Sequence, residues 1–528
     1  MRLAQQISGY WKRLRRRIWP ATHAGMLRKT GPGPSGRRRE PGRRVTHPAR
    51  PFRSARDRSL HEHAVLLEQA RADPIGNHMR PDLAVCYGQE RLPRYTSYPT
   101  APHFTGSVDS AVYAKWLGSI PQGATASLYL HIPFCRSMCW YCGCNTSVAR
   151  HDGPIEAYLP AIHREIELVS RSLSHRIAAN HVHFGGGTPT ILKPKAFAGL
   201  VESLRRSFAL ESDAEIAVEI DPRTLSKSMI AALADSGVNR ASLGVQSFDP
   251  AVQRAINRIQ TFGETASAVE ALRQSGIAGL NFDLIYGLPS QTVASCIDTV
   301  LRCGELRPER LSIFGYAHVP AFKPHQRMID DKALPDGLGR YQQFEAMAAT
   351  LQDMGYRRIG LDHFCLPDDA MNRAQETGRL RRNFQGYTTD CADVLLGFGA
   401  SAISQLAEGY VQNDSATRGY AARIAAGEPA TVKGYALTKD DRLRREIIER
   451  IMCDFRVDIG RISERHGTSA AGILQAAPRL TDLVANGVAV LDGTWLEVAE
   501  DAHFLVRSVA AAFDAQLDGS GRLHSRAV

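Results

Sequence analysis

The sequence predicts an α/β fold, with a parallel sheet over residues 125–330 and a mainly α-helical domain over residues 331–528. Two observations lead to this prediction. Six short runs rich in β-branched and aromatic residues alternate with helix-like segments, and parallel strands need crossovers of about a dozen residues or more. Beyond about residue 330 the apolar residues recur every three to four positions, as they do in helices. The six runs are ASLYLHIPF (126–134), HVHFGGG (181–187), EIAVEIDP (215–222), RASLGVQSF (240–248), GLNFDLIYGLP (279–289) and RLSIFGYAH (310–318).

The first 78 residues differ from the rest of the chain in charge. The whole chain carries a net charge of +11, whereas residues 1–60 hold 17 Lys and Arg against two acids, so residues 61–528 sum to −4. Little hydrophobic periodicity and many Pro, Gly and Arg predict a disordered basic tail over residues 1–78. This tail is interpreted as an arm for nucleic acid or anionic lipid, an organelle-targeting segment, an idle extension, or the product of an upstream start codon before Met79.

Within the sheet region, the clearest helix is predicted over residues 155–173, where six apolar residues repeat at three- and four-residue steps. Two more helices are predicted from LGRYQQFEAMAATLQDMGY and TKDDRLRREIIERIMCDF, with a loop-rich stretch, RRNFQGYTTDCADVLLGFGASAIS, between them. Near the end, LVANGVAVLDGTWLEV predicts a helix followed by a small hairpin.

Composition excludes several classes of protein. No run approaches eighteen consecutive apolar residues, so no transmembrane helix is predicted, and the N-terminus lacks the apolar core of a secretory signal. We therefore expect a cytoplasmic protein. The slightly acidic charge of residues 61–528 gives no support to a nucleic-acid partner.

A cysteine cluster is the strongest chemical signal. Four of the ten cysteines lie between Cys135 and Cys144, spaced C-x3-C-x2-C-x-C, directly after the first predicted strand. Structural zinc sites usually combine two cysteine pairs from separate segments, and no second pair follows here. A C-x-x-C redox pair would explain Cys139 and Cys142 but not Cys135. Three close thiols can instead hold an iron–sulfur cubane and leave one iron open to another ligand.

The C-x3-C-x2-C loop after a first strand resembles the signature of the radical S-adenosylmethionine (SAM) superfamily. Nine blocks in order then resemble the family of oxygen-independent coproporphyrinogen III oxidases over about residues 79–528. These blocks are RYTSYPTAPHF (94–104), LYLHIPFCRSMCWYCGCN (128–145), HFGGGTPT (183–190), EIDPR (219–223), GVQSF (244–248), NFDLIYGLP (281–289), YAHVP (316–320), DHFCLPDD (362–369) and RNFQGYTT (382–389). The resemblance implies a radical SAM partial (β/α)6 barrel over residues 125–330, on which residues 79–124 pack.

The resemblance also implies the reaction and its participants. Two propionates of coproporphyrinogen III would be oxidatively decarboxylated to vinyl groups, giving protoporphyrinogen IX, by a 5′-deoxyadenosyl radical made from SAM. The cofactors would be one [4Fe–4S] cluster and two SAM molecules. A reductant protein such as flavodoxin or ferredoxin and an electron acceptor would be partners of a monomeric enzyme.

Site residues follow from the same resemblance, position by position. Cys135, Cys139 and Cys142 would ligate the cluster. Cys144 would not be a ligand, because a fourth thiolate would occupy the iron that SAM needs, and it is either catalytic or a loop thiol that packs near the site. Contacts to the first SAM are expected from Tyr129, Gly186 and Glu219, and Tyr129 is also a catalytic candidate. Ala317 and Ile403 are expected to make backbone or apolar contacts to adenine. Contacts to the second SAM are expected from Tyr141, Gly187, Thr188, Gln246, Arg258 and Asp283. Arg94 and Arg382 are candidates for binding the substrate propionates.

Three other functions remain open at this point. A heme-binding chaperone of the same family shares the cysteine loop, but such proteins usually lack the RYTSYPT block and the fourth cysteine, and they carry an HNxxYW motif that is missing from this sequence. Another heme-directed radical SAM enzyme is disfavoured only by the number of matching blocks. A nucleic-acid-binding protein dominated by its tail is disfavoured by the acidic body.

Overall fold

A computed structural model describes residues 80–517 and 525–526, and the predicted basic tail over residues 1–78 lies outside the described residues. The strands are β1 (Arg91–Leu92), β2 (Thr125–Ile132), β3 (Phe134–Cys135), β4 (Ser147–Val148), β5 (Ala178–Gly186), β6 (Ala209–Ile220), β7 (Arg240–Gln246), β8 (Gly279–Tyr286), β9 (Arg310–Gly315), β10 (Arg357–Ile359), β11 (His363–Cys365), β12 (Arg381–Asn383), β13 (Gly386–Thr388), β14 (Val394–Phe398), β15 (Ile403–Gln405), β16 (Gly409–Asn413), β17 (Thr431–Ala436), β18 (Arg456–Asp458), β19 (Ala489–Asp492), β20 (Trp495–Val498) and β21 (Ser525–Arg526).

The α-helices are α1 (Pro81–Tyr87), α2 (Ser110–Gly118), α3 (Gly153–Ser172), α4 (Pro194–Ser207), α5 (Lys227–Asp235), α6 (Pro250–Ala255), α7 (Phe262–Gln274), α8 (Val293–Leu306), α9 (Gly337–Asp353), α10 (Ala370–Glu376), α11 (Thr417–Ala425), α12 (Lys439–Asp454), α13 (Ile459–Arg465), α14 (Ala470–Gln475), α15 (Arg479–Ala485) and α16 (Val506–Ala510). No helix in the described part of the chain is long and apolar enough to cross a lipid bilayer.

The six predicted runs all form strands of one twelve-stranded sheet, in the order β10-β11-β9-β8-β7-β6-β5-β2-β14-β15-β16-β17. The strands from β2 to β9 pair in parallel, with helices in the crossovers. The alternation of strands and helices predicted this arrangement, and it is confirmed. The carboxyl ends of these strands lie along one edge, where α/β proteins carry their chemistry.

Helix α3 shows why the crossovers form where the sequence predicts them. Its buried residues recur at three- and four-residue steps, and Pro154 occupies the first turn, where a missing N–H costs nothing. The buried positions of this helix are Ile155, Tyr158, Ala161, Ile162, Glu165, Ile166 and Val169. The helix predicted over residues 155–173 is therefore confirmed.

The predicted loop-rich stretch between the two C-terminal helices is wrong in part. Residues 394–398 form β14, a seventh parallel strand that pairs with β2, with Gly397 opposite Tyr129. Strands β15, β16 and β17 extend the sheet antiparallel beyond it. The sequence did not predict β14 because the run is short: five apolar residues such as VLLGF can form a strand or part of a buried helix.

The mainly helical end of the chain begins at α12, which starts with a capping box in which Thr438 and Asp441 exchange hydrogen bonds. The predicted hairpin forms from β19 and β20, and β18 joins it as a third strand. One hydrophobic core contains Leu83, Leu128 and Leu443, residues from all three predicted ranges of the folded chain. The division at residues 124 and 330 stays a prediction.

Residues 90–98 connect the N-terminal segment to the end of the chain. The Arg507 Nε donates to the carbonyl oxygen of Pro93 over 2.9 Å, and the Tyr95 hydroxyl donates to Asp514 Oδ2 over 3.0 Å. Glu90 accepts a hydrogen bond from the Ser508 hydroxyl over 3.0 Å. Hydrogen bonds from C-terminal residues thus hold the segment that contains Arg94 in place.

Candidate active site

The cysteine loop leaves the carboxyl end of β2 and is closed at its base by a short parallel ladder. Strand β3 pairs with β4, and the Ala149 N–H donates to the Cys135 carbonyl over 2.9 Å. The Ser147 N–H donates to the Pro133 carbonyl, also over 2.9 Å. These bonds hold residues 136–146 as one loop, so all four predicted cysteines lie at the same strand end.

The first two predicted cluster ligands have different surroundings. Cys135 Sγ lies 3.4 Å from Thr188 Oγ1 and 3.5 Å from Thr146 Oγ1, and burial raises the pKa of this thiol. Cys139 is buried, and its Sγ accepts from Arg258 Nη1 over 3.6 Å and from Arg223 Nη2 over 3.8 Å. The two guanidinium groups thus bring positive charge and hydrogen-bond donors to this sulfur.

A hydrogen bond joins the thiols of Cys142 and Cys144. This bond lowers the pKa of Cys142 to about 6. The same bond raises the pKa of Cys144 well above its usual range. Cys142 is therefore the more acidic of the two thiols.

The donor chemistry of Cys135, Cys139 and Cys142 fits an iron–sulfur cluster. Three soft thiol ligands on one loop, with guanidinium groups beside them, suit an iron–sulfur cluster.

A buried ion cluster joins the arginines at Cys139. Asp221 accepts from Arg223 Nη2 over 2.6 Å and from Arg258 Nη2 over 3.4 Å, and Arg258 Nη2 also donates to the Gly244 carbonyl over 2.6 Å. Burial by itself would raise the pKa of Asp221, but the hydrogen bond from Arg223 and the charge of Arg258 lower it. The sequence predicted Arg258 as a site residue, but it missed roles for Asp221 and Arg223. The signal was their place in EIDPR, at a strand end.

The glycine run after β5 lets the cysteine loop approach the sheet. A Cβ on Gly186, whose φ is +115°, would lie 2.8 Å from the His131 ring, and one on Gly187 would lie 2.5 Å from the Phe134 carbonyl oxygen. The Gly186 N–H donates to Glu219 Oε2 over 3.2 Å. The predicted residues Gly186, Gly187 and Glu219 thus meet at one strand end, beside Thr188.

Tyr129 forms a hydrogen-bonded chain with His131, a residue for which the sequence predicted no role. His131 Nε2 lies 2.8 Å from the Asn145 carbonyl, which can only accept, so this nitrogen carries the proton. His131 Nδ1 then accepts from the Tyr129 hydroxyl over 3.0 Å. Burial lowers the pKa of His131, and burial and the charge of Glu219 raise that of Tyr129, so both groups are neutral near pH 7.

Two predicted residues are linked through the loop that follows β9. Gln326 Nε2 donates to the carbonyl oxygens of Tyr141 and Ala317, over 3.1 and 3.2 Å. From the same loop, His325 Nε2 donates to the Cys142 carbonyl over 2.7 Å and Lys323 Nζ donates to the Cys144 carbonyl over 2.9 Å. The loop after β9 therefore holds the cysteine loop, a role that nothing in its sequence indicated.

The remaining predicted residues lie on neighbouring strands. Gln246 ends β7 with a left-handed φ of +67°, and its buried Oε1 has no hydrogen-bond partner within the described residues. Asp283 on β8 accepts from Ser242 Oγ over 2.7 Å and Asn281 Nδ2 over 2.9 Å, and burial raises its pKa. Ile403 lies on β15, and its carbonyl oxygen would be 2.5 Å from a Cβ at Gly397, the partner of Tyr129.

The two predicted substrate arginines meet at the end of β9. Arg94 Nη2 donates to the carbonyl of Gly315, the last residue of β9, over 2.9 Å. Arg382 Nη2 donates to the Arg94 carbonyl over 3.3 Å. The structure therefore brings together two residues that are far apart in sequence.

Known proteins similar to this chain agree in sequence and in fold. Residues 129–303 match the Radical SAM superfamily, and residues 437–505 match the HemN C-terminal domain. A protein of Bradyrhizobium diazoefficiens named oxygen-independent coproporphyrinogen III oxidase is 62% identical over 450 residues, which cover 85% of this chain and 100% of that protein. A Paracoccus denitrificans protein of the same name is 42% identical over 83% of this chain and 97% of its own.

A solved structure extends this similarity to the fold. The coproporphyrinogen III oxidase (HemN) of Escherichia coli, described as a radical SAM enzyme, superposes with a TM-score of 0.77 at 36% sequence identity. The match covers 81% of this chain and 100% of that one. With identities this high over nearly the whole length of its relatives, and with the cysteine loop at the end of the first parallel strand, the chain belongs to the oxygen-independent coproporphyrinogen III oxidase family of radical SAM enzymes.

Proposed function

We propose that this protein converts coproporphyrinogen III to protoporphyrinogen IX without dioxygen, by oxidative decarboxylation of two propionate side chains. The carrying observation is the 62% identity to a coproporphyrinogen III oxidase along that protein's full length. The cysteine loop at the carboxyl end of β2 supports the same reaction, because it supplies the thiols that radical SAM chemistry requires.

We propose Cys135, Cys139 and Cys142 as the cluster ligands. Arg223 and Arg258 would stabilise the Cys139 thiolate, and the loop after β9 would fix the backbone at Cys142. When bound, the [4Fe–4S] cluster and SAM supply a reductant and a radical able to remove hydrogen from an unactivated carbon. Three protein thiols would leave one iron open for SAM.

Two SAM sites are proposed on the two sides of this loop. Gly186 and Glu219, whose carboxylate accepts from the Gly186 N–H, would contact the first SAM beside Tyr129. Ala317 and Ile403 would contact adenine. The second would use Tyr141, Gly187, Thr188, Gln246, Arg258 and Asp283. The buried Gln246 Oε1 supports a second ligand, since a buried acceptor without a partner is costly unless something fills its place.

The reaction balances on the substrate side as follows. Each propionate loses one hydrogen atom from its β-carbon, the bond between its α-carbon and its carboxyl carbon breaks, and a vinyl group, carbon dioxide and one electron result. The electron passes to an acceptor, and a flavodoxin- or ferredoxin-like protein would supply the reducing electron. The enzyme is proposed to act as a monomer in the cytoplasm.

Tyr129 and Cys144 are the proposed catalytic residues. The Tyr129 hydroxyl is neutral and is oriented by the hydrogen bond that it donates to His131, so its oxygen is available to accept a hydrogen bond from a bound molecule. Cys144 is the exposed thiol of the loop, so it can reach a bound molecule while Cys142 stays on the cluster. His131 would be a positioning residue for Tyr129.

The test uses the full chain, reconstituted anaerobically with iron and sulfide. We would incubate it with dithionite, SAM and coproporphyrinogen III, and identify the products by mass. Protoporphyrinogen and 5′-deoxyadenosine in a ratio of about one to two are expected, since each decarboxylation would use one SAM. Tight heme binding without turnover, or SAM cleavage with an unchanged porphyrinogen, would overturn the proposal.

A further inference from the structure

Several arginines gather where β8 and β9 end, more than the sequence indicated. We define the arginine cluster as Arg94, Arg358, Arg382 and Arg507. Their charges act on one another. Burial and the charge of Arg382 lower the pKa of Arg94. Burial and the charge of Arg94 lower the pKa of Arg507 to about 9. Cations are concentrated here although their repulsion opposes folding.

Arg94 and Arg382 lie at the carboxyl end of β9. Arg94 donates to the carbonyl of Gly315, and Tyr286, the last residue of β8, has its hydroxyl 2.8 Å from where a Cβ on Gly315 would be. Arg382 donates to the Arg94 carbonyl. Arg358 lies on the edge strand β10, and its Nη2 donates to the Leu361 carbonyl over 3.2 Å. Two of the arginines thus lie at the strand end that carries the proposed chemistry.

The donors of the cluster are only partly used. Nε and Nη1 of Arg382 and Nε of Arg358 are buried, and none of these atoms has a hydrogen-bond partner within residues 80–517 or 525–526. The Arg382 guanidinium also lies 4.3 Å from the centre of the Tyr387 ring, which fixes its plane. A fixed guanidinium with free N–H groups is suited to a carboxylate, which accepts two parallel hydrogen bonds.

Asp362 is the carboxylate whose charge acts on both Arg94 and Arg382, and Glu345 acts on Arg358. Asp362 is already engaged, because His363 Nδ1 lies 2.7 Å from its Oδ1. Burial alone would raise its pKa, but the bond from His363 and the charges of Arg382 and Arg94 lower it to about 2. Asp362 is therefore shared between Arg94 and Arg382, and the buried Nε and Nη1 of Arg382 and Nε of Arg358 remain available to an anionic ligand.

The segment after β9 connects the arginine cluster to the cysteine loop. It begins beside Gly315, which Arg94 contacts, and within ten residues reaches the carbonyls of Cys142 and Cys144 through His325 and Lys323. In the sheet order β9 is five strands from β2, so this segment links two distant strand ends.

From this geometry we infer that the arginine cluster binds the two propionates of the substrate that are not decarboxylated. The inference rests on the proposed function. A reacting propionate must release its carboxylate as carbon dioxide, and ion pairs that stabilise that carboxylate in the bound substrate would raise the barrier. The retained propionates keep their charge throughout, so strong ion pairs to them improve binding and orientation without slowing the reaction.

The experiment compares Arg358→Met and Arg382→Met with Arg381→Met in the reconstituted full-length enzyme. Arg381 precedes Arg382 on β12, but its partner is Glu449, so it is a matched control. We expect KM for coproporphyrinogen III to rise about 10- to 100-fold in the first two variants, as for loss of a charged hydrogen bond, with kcat nearly constant. Iron content and SAM cleavage without substrate should match the wild type.

A substrate with methyl esters on the two retained propionates separates binding from damage to the fold. Wild type should bind it about 10- to 100-fold more weakly than the free acid, and Arg382→Met should show little difference between the two. Arg382→Lys, which keeps the charge but loses the fork, should fall between them.

An unchanged KM in both methionine variants, or the same ester penalty in variant and wild type, would overturn the inference while leaving the proposed function intact. An inactive wild type would instead overturn the function.

Discussion

Cys139 is the residue at which structure adds most to the chemistry of the site. The sequence identifies it by spacing, but only the fold brings Arg223 and Arg258 to its sulfur and Asp221 behind them. Hydrogen bonds to cluster sulfurs and nearby charge set the reduction potential of iron–sulfur centres. Single side chains outside the C-x3-C-x2-C motif should therefore tune the cluster.

The Arg223→Gln variant tests that tuning. Removing one cation near Cys139 should make the cluster harder to reduce, lowering its potential by roughly 60 mV, which is a tenfold change in a one-electron equilibrium. A redox titration followed by electron paramagnetic resonance measures this. Arg205→Gln is the control, because Arg205 bonds to the Ser236 carbonyl on another helix. Equal potentials in all three proteins would contradict the role given to Arg223.

The thiols of the loop make a second prediction at this scale. Cys139→Ser should fail to load iron, since three ligands are the minimum for the cluster. Cys144→Ser should load as much iron as the wild type and keep its absorption spectrum. Iron analysis after anaerobic reconstitution measures both, and a Cys144→Ser protein without iron would make Cys144 a ligand.

At the scale of elements, loops and strand ends fit together through glycine. The glycines at the end of β5 could form a ligand surface, yet the space that a Cβ would need at Gly186 and Gly187 is already occupied by His131 and the cysteine loop. These glycines are thus required mainly because they let the cysteine loop pack closely against the end of β5.

Gly187→Ala should destabilise that contact. Its Cβ would lie 2.5 Å from both the Phe134 carbonyl oxygen and Thr146 Oγ1, and overpacking of this kind costs about 1–3 kcal/mol. Urea unfolding under anaerobic conditions measures the loss. Gly143→Ala, in the same loop with nothing within 4 Å of the new Cβ, should unfold like the wild type. Equal urea midpoints for the two variants would contradict this prediction, because they would show that the cysteine loop moves to accommodate the new Cβ at no cost in stability.

Helix α3 is tied to the region around β14 by a buried carboxyl. Glu165 accepts from the Gly399 N–H, the Tyr420 hydroxyl and Asn413 Nδ2, and burial raises its pKa to about 7. The folded protein thus binds this proton more tightly than the unfolded chain. Its contribution to stability is full below about pH 4.5 and is lost as the pH rises through 7.

Glu165→Gln should remove this pH dependence. Between pH 5 and pH 8 the wild type should lose roughly 3 kcal/mol of unfolding free energy that the variant keeps. Denaturant unfolding at the two pH values measures the difference, with the exposed Glu167→Gln on the same helix as the control. A parallel pH dependence in wild type and Glu165→Gln would contradict the prediction.

Much of the fold was predictable from the sequence, and the reasons are local. Polar or glycine-rich segments follow the six parallel strands that the sequence predicted, and the helices between them have clear periodicity. The strand β14 was missed because its five residues carry no period. In the site, motif residues were found, but His131, Asp221, Arg223, Lys323 and His325 were not, because their roles depend on contacts between distant segments.

At the scale of the whole molecule, the proposed site is assembled from several parts of the described chain. The sheet supplies the cysteine loop, residues 90–98 supply Arg94, and β10, β12 and α16 supply Arg358, Arg382 and Arg507. The proposed substrate side thus draws on the N-terminal segment and the C-terminal region. The proposed cofactor side draws on residues 125–330 and on Ile403 in β15.

The bond between Arg507 and Pro93 also sets an order of events during synthesis. The two residues are 414 positions apart, so Arg94 leaves the ribosome long before its support exists. At about 5–20 residues per second, roughly 20–80 s separate them. In that interval a nascent chain can fold its cysteine loop and the neighbouring strand ends. It cannot yet bind the substrate, because α16 must be translated before Arg507 can hold residues 90–98 in place.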